Sequence, residues 1–284
     1  MLRQFFGILS AALLLSGAVF PIPPEEEAPV PLPILMYHDV KEADPGKDSI
    51  TPYELESDLQ YLLDAGYTTV TMAEVIAYVY EGAPLPEKPV VLSFDDGLLS
   101  VYTAVGPLLE KYGARIVLSA IGRSADEFSA LPAGNPRYAH ATWSQLGELQ
   151  AEGLAELQNH SYDLHRDEGG MLGCRQRPGE SGGDYARRLS EDLTKMQERV
   201  LDELGTVPDT FAYPYGKYSG LSEGILRELG FRASLTCDFG MNLLTRDPDC
   251  LMGMKRICRS HGADLASLLG EANESLKWRS KNVL

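Results

Sequence analysis

The sequence predicts an α/β fold: a parallel sheet rolled towards a barrel of the (β/α)₈ type, with helices outside it. Three observations lead there. Short apolar runs of strand length alternate with helix-length amphipathic segments across residues 32–275, the order that makes neighbouring strands parallel. Three helix starts are written as capping boxes, Thr51-Pro52-Tyr53-Glu54, Thr71 to Glu74 and Thr142 to Gln145; in each, a threonine hydroxyl and the acid or amide three residues on satisfy each other's orphan N–H groups. The unusual polar residues all follow predicted strands: His38, Asp95 and Asp96, His160, and Pro214-Tyr215-Gly216. In a parallel barrel those positions share the C-terminal face, where active sites are built.

The elements follow in order. Leu32 to Met36 is a short strand ending on Tyr37-His38-Asp39. Leu55, Leu59, Leu62 and Leu63 stand at helical spacing, and Gly66 closes that helix. Tyr67 to Val70 is a strand, and the second capping box opens a helix to about Tyr80. Val90 to Leu92 with Phe94 is a buried strand that stops on Asp95-Asp96-Gly97. Successive strand residues point to opposite faces, so the two aspartates diverge at the strand end. Leu98 to Tyr112 reads as a helix carrying Pro107, Ala114 to Ile121 as a strand, and Ser124 to His140 as a loop. The third capping box starts a helix to about Glu152, before the strand Ala155 to Asn159. Arg166 to Gly183 is polar and glycine-rich and reads as a mobile surface loop. Asp184 to Leu204 is the longest helix. Thr210 to Tyr213 is a strand, Leu221 to Leu229 a helix, Phe231 to Thr236 a strand, and residues past Ala263 are helical.

Residues 1–20 carry Arg3 and then a largely apolar run from Phe5 to Phe20, with Ser16-Gly17-Ala18 as a small-residue cleavage site. This reads as a secretory signal, with an uncleaved anchor as the alternative. Residues 21–31 form a Pro/Glu-rich linker, 32–275 a single catalytic domain, and 276–284 a frayed tail. The net charge of −16 argues against a nucleic-acid partner, which needs a basic patch. Cys174, Cys237, Cys250 and Cys258 allow three pairings among which sequence does not choose, and none has Cys-x-x-Cys spacing.

His160-Ser161-Tyr162-Asp163-Leu164-His165 places two imidazoles five residues apart at one strand end. Two imidazoles and a carboxylate hold a divalent metal while leaving positions open for water and substrate. A second carboxylate beside them suits a general base. The Asp-Asp-Gly corner alone is also ordinary turn chemistry; its weight comes from the shared face.

Together, Ser93-Phe94-Asp95-Asp96-Gly97, the His160 to His165 segment and Phe211-Ala212-Tyr213-Pro214-Tyr215-Gly216 resemble the polysaccharide deacetylase family, the NodB-homology domain. The resemblance covers roughly residues 31–260. With Met36-Tyr37-His38-Asp39-Val40, it points to the branch that includes exported poly-N-acetylglucosamine deacetylases.

The resemblance implies a distorted (β/α) barrel with about seven parallel strands. Asp96, His160 and His165 would hold a divalent metal, zinc first, with cobalt, nickel or manganese as alternatives. Asp95 would be the general base for a water attacking an N-acetyl carbonyl, and the backbone N–H of Tyr215 would stabilise the oxyanion. Tyr37, Tyr213 and Tyr215 would bind substrate, with Trp143 and Tyr162 as further stacking candidates, although core packing is the commoner fate of such rings. Ala212 stands where many members carry an arginine that orients the base, and Arg256 is a candidate substitute from another strand. His38 or His261 would be the acid for the leaving amine. The expected partner is an acetylated polysaccharide, acted on by an exported protein; the sequence leaves the oligomeric state open, with a monomer as the default expectation. A metal-dependent O-acetyl esterase and a non-catalytic glycan-binding protein are the alternatives.

Overall fold

The computed structural model describes residues 28–131 and 139–282. Eight strands form one parallel sheet: β1 (Ile34–Tyr37), β2 (Thr68–Thr69), β3 (Pro89–Asp96), β4 (Ile116–Ala120), β5 (Ala155–Asn159), β6 (Thr210–Ala212), β7 (Ala233–Leu235) and β8 (Ile257–Cys258). Seven of them lie in the order β7-β6-β5-β4-β3-β1-β8, and β2 pairs with the first residues of β3. The sheet is curled. Met254, just before β8, meets Leu235 of β7 in an isolated parallel bridge, so the two edges nearly close the expected distorted barrel. Among the described residues, seven α-helices lie between the strands, α1 (Pro52–Asp64), α2 (Met72–Glu81), α3 (Gly106–Tyr112), α4 (Gly122–Ala130), α5 (Trp143–Ala151), α6 (Gly182–Leu204) and α7 (Ser222–Glu228), and α8 (Leu265–Asn282) follows β8.

Strand parity divides the core. On β3, Val90, Leu92 and Phe94 pack outward with Leu35 and Leu118 against α1, α3, α5 and α6. Val91 turns inward with Ile34, Val117 and Ala212, and α2 closes that interior with Met72, Val75 and Ile76. Ser93 and Asp95 share the inward parity of Val91, which carries a buried carboxylate up the inside of the barrel. All three capping boxes form as written, each with both reciprocal hydrogen bonds. On α6, Tyr185, Leu189, Leu193, Met196 and Val200 form one buried stripe at helical spacing.

Several expectations are corrected. The loop expected from Ser124 is helical through Ala130; α4 has no side-chain cap, so no start signal existed to read. Residues 132–138 of that loop lie outside the described residues. The helix expected from Leu98 begins as a π-turn, Val101–Val105, before α3. Pro107 has no N–H to give to the preceding turn, and Gly106 bonds back to Val101, five residues away. The segment expected to be a mobile loop, 166–183, contains a hairpin of Asp167–Glu168 and Met171–Leu172. Its Gly169-Gly170 turn has positive φ at both residues, as a two-residue hairpin needs. Cys174 in the same segment is fully buried.

Val30–Leu32 pairs antiparallel with Asn242–Leu244, so the end of the expected linker joins the fold. α8 extends into the expected tail, as far as Asn282. All four cysteines are free thiols. Among the described residues, no helix is long and apolar enough to cross a membrane; the signal or anchor expected over 1–20 lies outside them.

Candidate metal centre and active site

The site starts where β3 ends. Asp95 is 1% exposed inside the barrel. Its Oδ1 accepts from Nη1 of Arg256 at 2.8 Å, and Ser93 Oγ lies at 3.5 Å. Arg256 is itself fully buried and fixed by its other donors. Nε bonds the Thr236 carbonyl at 2.7 Å, and Nη1 also reaches Ser93 Oγ at 2.9 Å. Arg256 immediately precedes β8, so the guanidinium does come from another strand segment than Ala212. Burial alone would raise the Asp95 pKa; the charges of Arg256 and His160 outweigh it and hold the carboxyl below its ordinary range.

Asp96 has outward parity, yet its carboxylate also enters the barrel mouth. Its backbone makes this possible with φ 72°, a left-handed conformation that costs a non-glycine residue strain. His140 steadies that backbone through Nδ1, 3.0 Å from the Asp96 carbonyl. Oδ1 of Asp96 stands 3.4 Å from Nε2 of His160 and 3.3 Å from Nε2 of His165.

The two histidines are presented by a turn that the sequence builds locally. Asn159 Oδ1 accepts from Ser161 N at 2.7 Å, and Ser161 Oγ accepts from Leu164 N at 3.1 Å. Asp192 of α6 takes the N–H groups of Tyr162 and Asp163, one on each carboxylate oxygen, both at 2.8 Å. His160 Nδ1 lies 2.8 Å from the Ala212 carbonyl. A carbonyl only accepts, so Nδ1 carries the hydrogen and Nε2 presents its lone pair to the site.

Asp96, His160 and His165 form a group whose ligand atoms all lie within 4.8 Å of one another. Asp96 Oδ1 is buried and has no hydrogen-bond partner. A buried orphan oxygen facing two imidazole nitrogens is costly unless something positive lies between them. Ligands each about 2.0–2.1 Å from one tetrahedral ion stand about 3.3 Å apart, which matches the observed 3.3 and 3.4 Å. The residues fit a divalent metal. Electrostatics agree: burial works against ionised Asp96, but His160 and His165 hold its pKa well below normal. Burial, then His160, push His165 down to about 4, leaving a neutral ring. Burial also disfavours charge on His160, but Asp95 and Asp96 outweigh it and raise its pKa.

A cleft of about 400 Å³ opens above these groups, lined by His38, Asp95, Asp96, His165, Tyr215 and Cys237 among others. Tyr215 is 42% exposed, takes φ 55°, and lays its ring 4.2 Å from that of His165.

Other expected site residues lie elsewhere. Tyr37 is 1% exposed, stacks on Phe94 at 4.9 Å and donates to Asp58 at 3.2 Å, so it is core rather than a sugar platform. Tyr213 is 2% exposed between Phe211 and Tyr218. Strand parity explains both: Tyr37 shares the outward face of Leu35, and Tyr213 follows Phe211 into the cluster under α6 and α7. Trp143 is buried and donates to Asp126, to which Tyr162 also donates. His261 does not line the cleft; its Nδ1 lies 2.9 Å from Glu54 at the start of α1. Sequence reasoning gave no role to Ser93, quoted only within the Asp95-Asp96 motif, or to His140, which carries no local signal. It also missed Asp192, whose signal was readable: an acid between Leu189 and Leu193 on the apolar stripe of α6.

A curled parallel barrel with a carboxylate and two imidazoles converging at its mouth defines an α/β class of protein with a metal-type donor set there. The polysaccharide deacetylase family model matches residues 82–234, and the chain belongs to that family. It is similar to the poly-β-1,6-N-acetyl-D-glucosamine N-deacetylase of Escherichia coli strain K12, 29% identical over 231 residues, 73% of this chain and 34% of that one. The chain thus spans about a third of that relative's length. Among solved structures, IcaB from Ammonifex degensii aligns with a TM-score of 0.67 at 26% identity, covering 86% of this chain and 96% of that one. A de-N-acetylase from Aggregatibacter actinomycetemcomitans shares the fold with a TM-score of 0.72 at 23% identity, covering 84% and 99%.

Proposed function

We propose that this chain is an exported, metal-dependent hydrolase that removes N-acetyl groups from an N-acetylglucosamine-containing polysaccharide. The observation that carries the reading is the meeting of Asp96, His160 and His165 around one point, with the Asp95–Arg256 pair beside it. The names of the relatives support the substrate class. Residues 32–275 would form the catalytic domain, exported by the apolar segment over 1–20.

Asp96, His160 and His165 would hold the ion, zinc by its taste for nitrogen and oxygen donors in tetrahedral sites, with cobalt, nickel or manganese as alternatives. When bound, the ion supplies Lewis acidity to the acetyl carbonyl and to the attacking water. Asp95 is held ionised by Arg256, and both its hydrogen bonds fall on Oδ1. It therefore suits the role of general base, taking the water proton as the new C–O bond forms. The backbone N–H of Tyr215 would meet the developing oxyanion. Breaking the C–N bond needs a proton on the departing amine, and His38, which lines the cleft, would supply it. Acetate and a free amino sugar leave.

Incubating the purified protein with β-1,6-linked poly-N-acetylglucosamine should release acetate, and a chelator should stop the release until zinc or another divalent ion is restored. A metal-loaded protein that frees acetate from no N-acetylated glycan, while cleaving O-acetyl groups or nothing at all, would overturn the reading.

A further inference from the structure

Two stretches of the barrel mouth meet at a single glycine. The chain leaves His165 through the hairpin of Asp167–Glu168 and Met171–Leu172 and returns at Gly173, whose N–H donates to the Arg166 carbonyl at 3.1 Å. The next residue, Cys174, donates its N–H to the Lys217 carbonyl at 3.0 Å. These two bonds hold Gly173 between the residue that follows His165 and the tight turn Pro214–Gly216.

Gly173 has φ 55°, and a methyl group on its α-carbon would overlap the Pro214 carbonyl oxygen and lie 3.3 Å from Lys217 Cβ. The Pro214 carbonyl and the Tyr215 N–H are two ends of one peptide group, which is planar and stiff. A push on that carbonyl therefore turns that N–H. The turn is also pressed against Cys237, since a methyl group on Gly216 would stand 2.7 Å from Cys237 Cβ. It has little room to shift as a body, so a push from residue 173 falls on the peptide itself. The turn's own bonds run from Gly216 N to the Tyr213 carbonyl at 2.8 Å and from Lys217 N to the Pro214 carbonyl at 3.0 Å. Neither uses the Tyr215 N–H, and Tyr215 lines the cleft.

Resting on the deacetylase reading, we infer that Gly173 is a positioning residue for the oxyanion: its missing side chain admits the Pro214 carbonyl and so sets the direction of the Tyr215 N–H that meets the acetyl oxygen. It acts through the Pro214–Tyr215 peptide and touches neither substrate nor metal ligand.

The test compares Gly173→Ala, Gly173→Asn and Gly169→Ala in the metal-loaded protein with β-1,6-linked poly-N-acetylglucosamine as substrate. Gly169 is the matched control: its φ is 60°, so alanine meets the same left-handed cost, but nothing lies within 4 Å of the added methyl group. Asparagine accepts left-handed φ while still carrying the Cβ, and it carries the test if Gly173→Ala does not fold. In both Gly173 variants kcat should fall about 10²-fold, the lower end of the worth of one oxyanion donor. KM should stay within about twofold, the sign of an interaction made only in the transition state. Metal content, by elemental analysis, should not change. Gly169→Ala should keep the wild-type kcat. With selective ¹⁵N-tyrosine labelling, the Tyr215 amide resonance should move in the Gly173 variants and stay in place in Gly169→Ala. A wild-type kcat in Gly173→Asn, or an equal loss in Gly169→Ala, overturns the proposal. If the wild-type protein frees acetate from no glycan, the deacetylase reading fails and the resonance decides the rest. A Tyr215 shift confined to the Gly173 variants keeps the coupling between Gly173 and that N–H, and an unmoved resonance overturns it as well.

Discussion

The last two residues of β3 carry the same functional group in opposite surroundings. Asp95 has its charge answered inside the protein: a buried guanidinium donates to it at 2.8 Å, and a serine hydroxyl lies beside it. Asp96 has a buried oxygen with no donor, turned towards two imidazole nitrogens. One is an anion already paired inside the protein; the other keeps a buried oxygen without a partner. The difference does not come from the residue type. It comes from parity, which sends Asp95 inward, and from the left-handed φ of Asp96, which swings the next side chain over the mouth.

Substitutions can break this contrast at either end. Asp96→Ala or His160→Ala should cause the largest loss, with metal affinity falling about 10–100-fold or more and turnover falling to background. Asp95→Asn should lower kcat by about 10²–10⁴-fold. Arg256→Lys keeps the positive charge but not the planar fork that reaches Thr236, Ser93 and Asp95 together. We expect kcat to fall about 10–100-fold with unchanged metal content, read by steady-state kinetics beside elemental analysis; an unchanged kcat would show that Asp95 needs no orientation by Arg256.

The smallest effect belongs to Asp192, which holds the turn between the histidines. Burial raises its pKa to about 6 from an ordinary 3.8. A carboxyl with a raised folded pKa adds most to stability below its unfolded pKa, and that contribution is lost as pH rises through the folded one. The window is therefore about pH 4 to 6, and the full contribution is at most about 3 kcal/mol. Asp192→Asn lacks this titration. Its destabilisation relative to wild type should be larger at pH 4 than at pH 7 in denaturant melts; equal penalties at both pH values would contradict the account.

The legible parts of the molecule were those fixed by local physics. Thr51, Thr71 and Thr142 cap their helices because a hydroxyl and a side chain three residues on suffice. The His160 to His165 spacing was readable because both residues sit on one turn. β8 was not, since two residues hold no pattern and their pairing with Leu35 and Met36 joins distant parts of the chain. Arg256 was named only as a substitute for a missing arginine, and the fold brings it to Asp95 across 161 residues. Tyr37 and Tyr213 were misread because an aromatic beside a polar cluster suggests a sugar, while strand parity sends both rings into the core.

The contrast between the two carboxylates is tested most directly by metal content at matched protein concentration, measured by elemental analysis on wild type, Asp95→Asn and Asp96→Ala. The account predicts about one ion per chain in wild type and Asp95→Asn, and a marked loss in Asp96→Ala. Equal content in all three, or loss in Asp95→Asn with retention in Asp96→Ala, would contradict it.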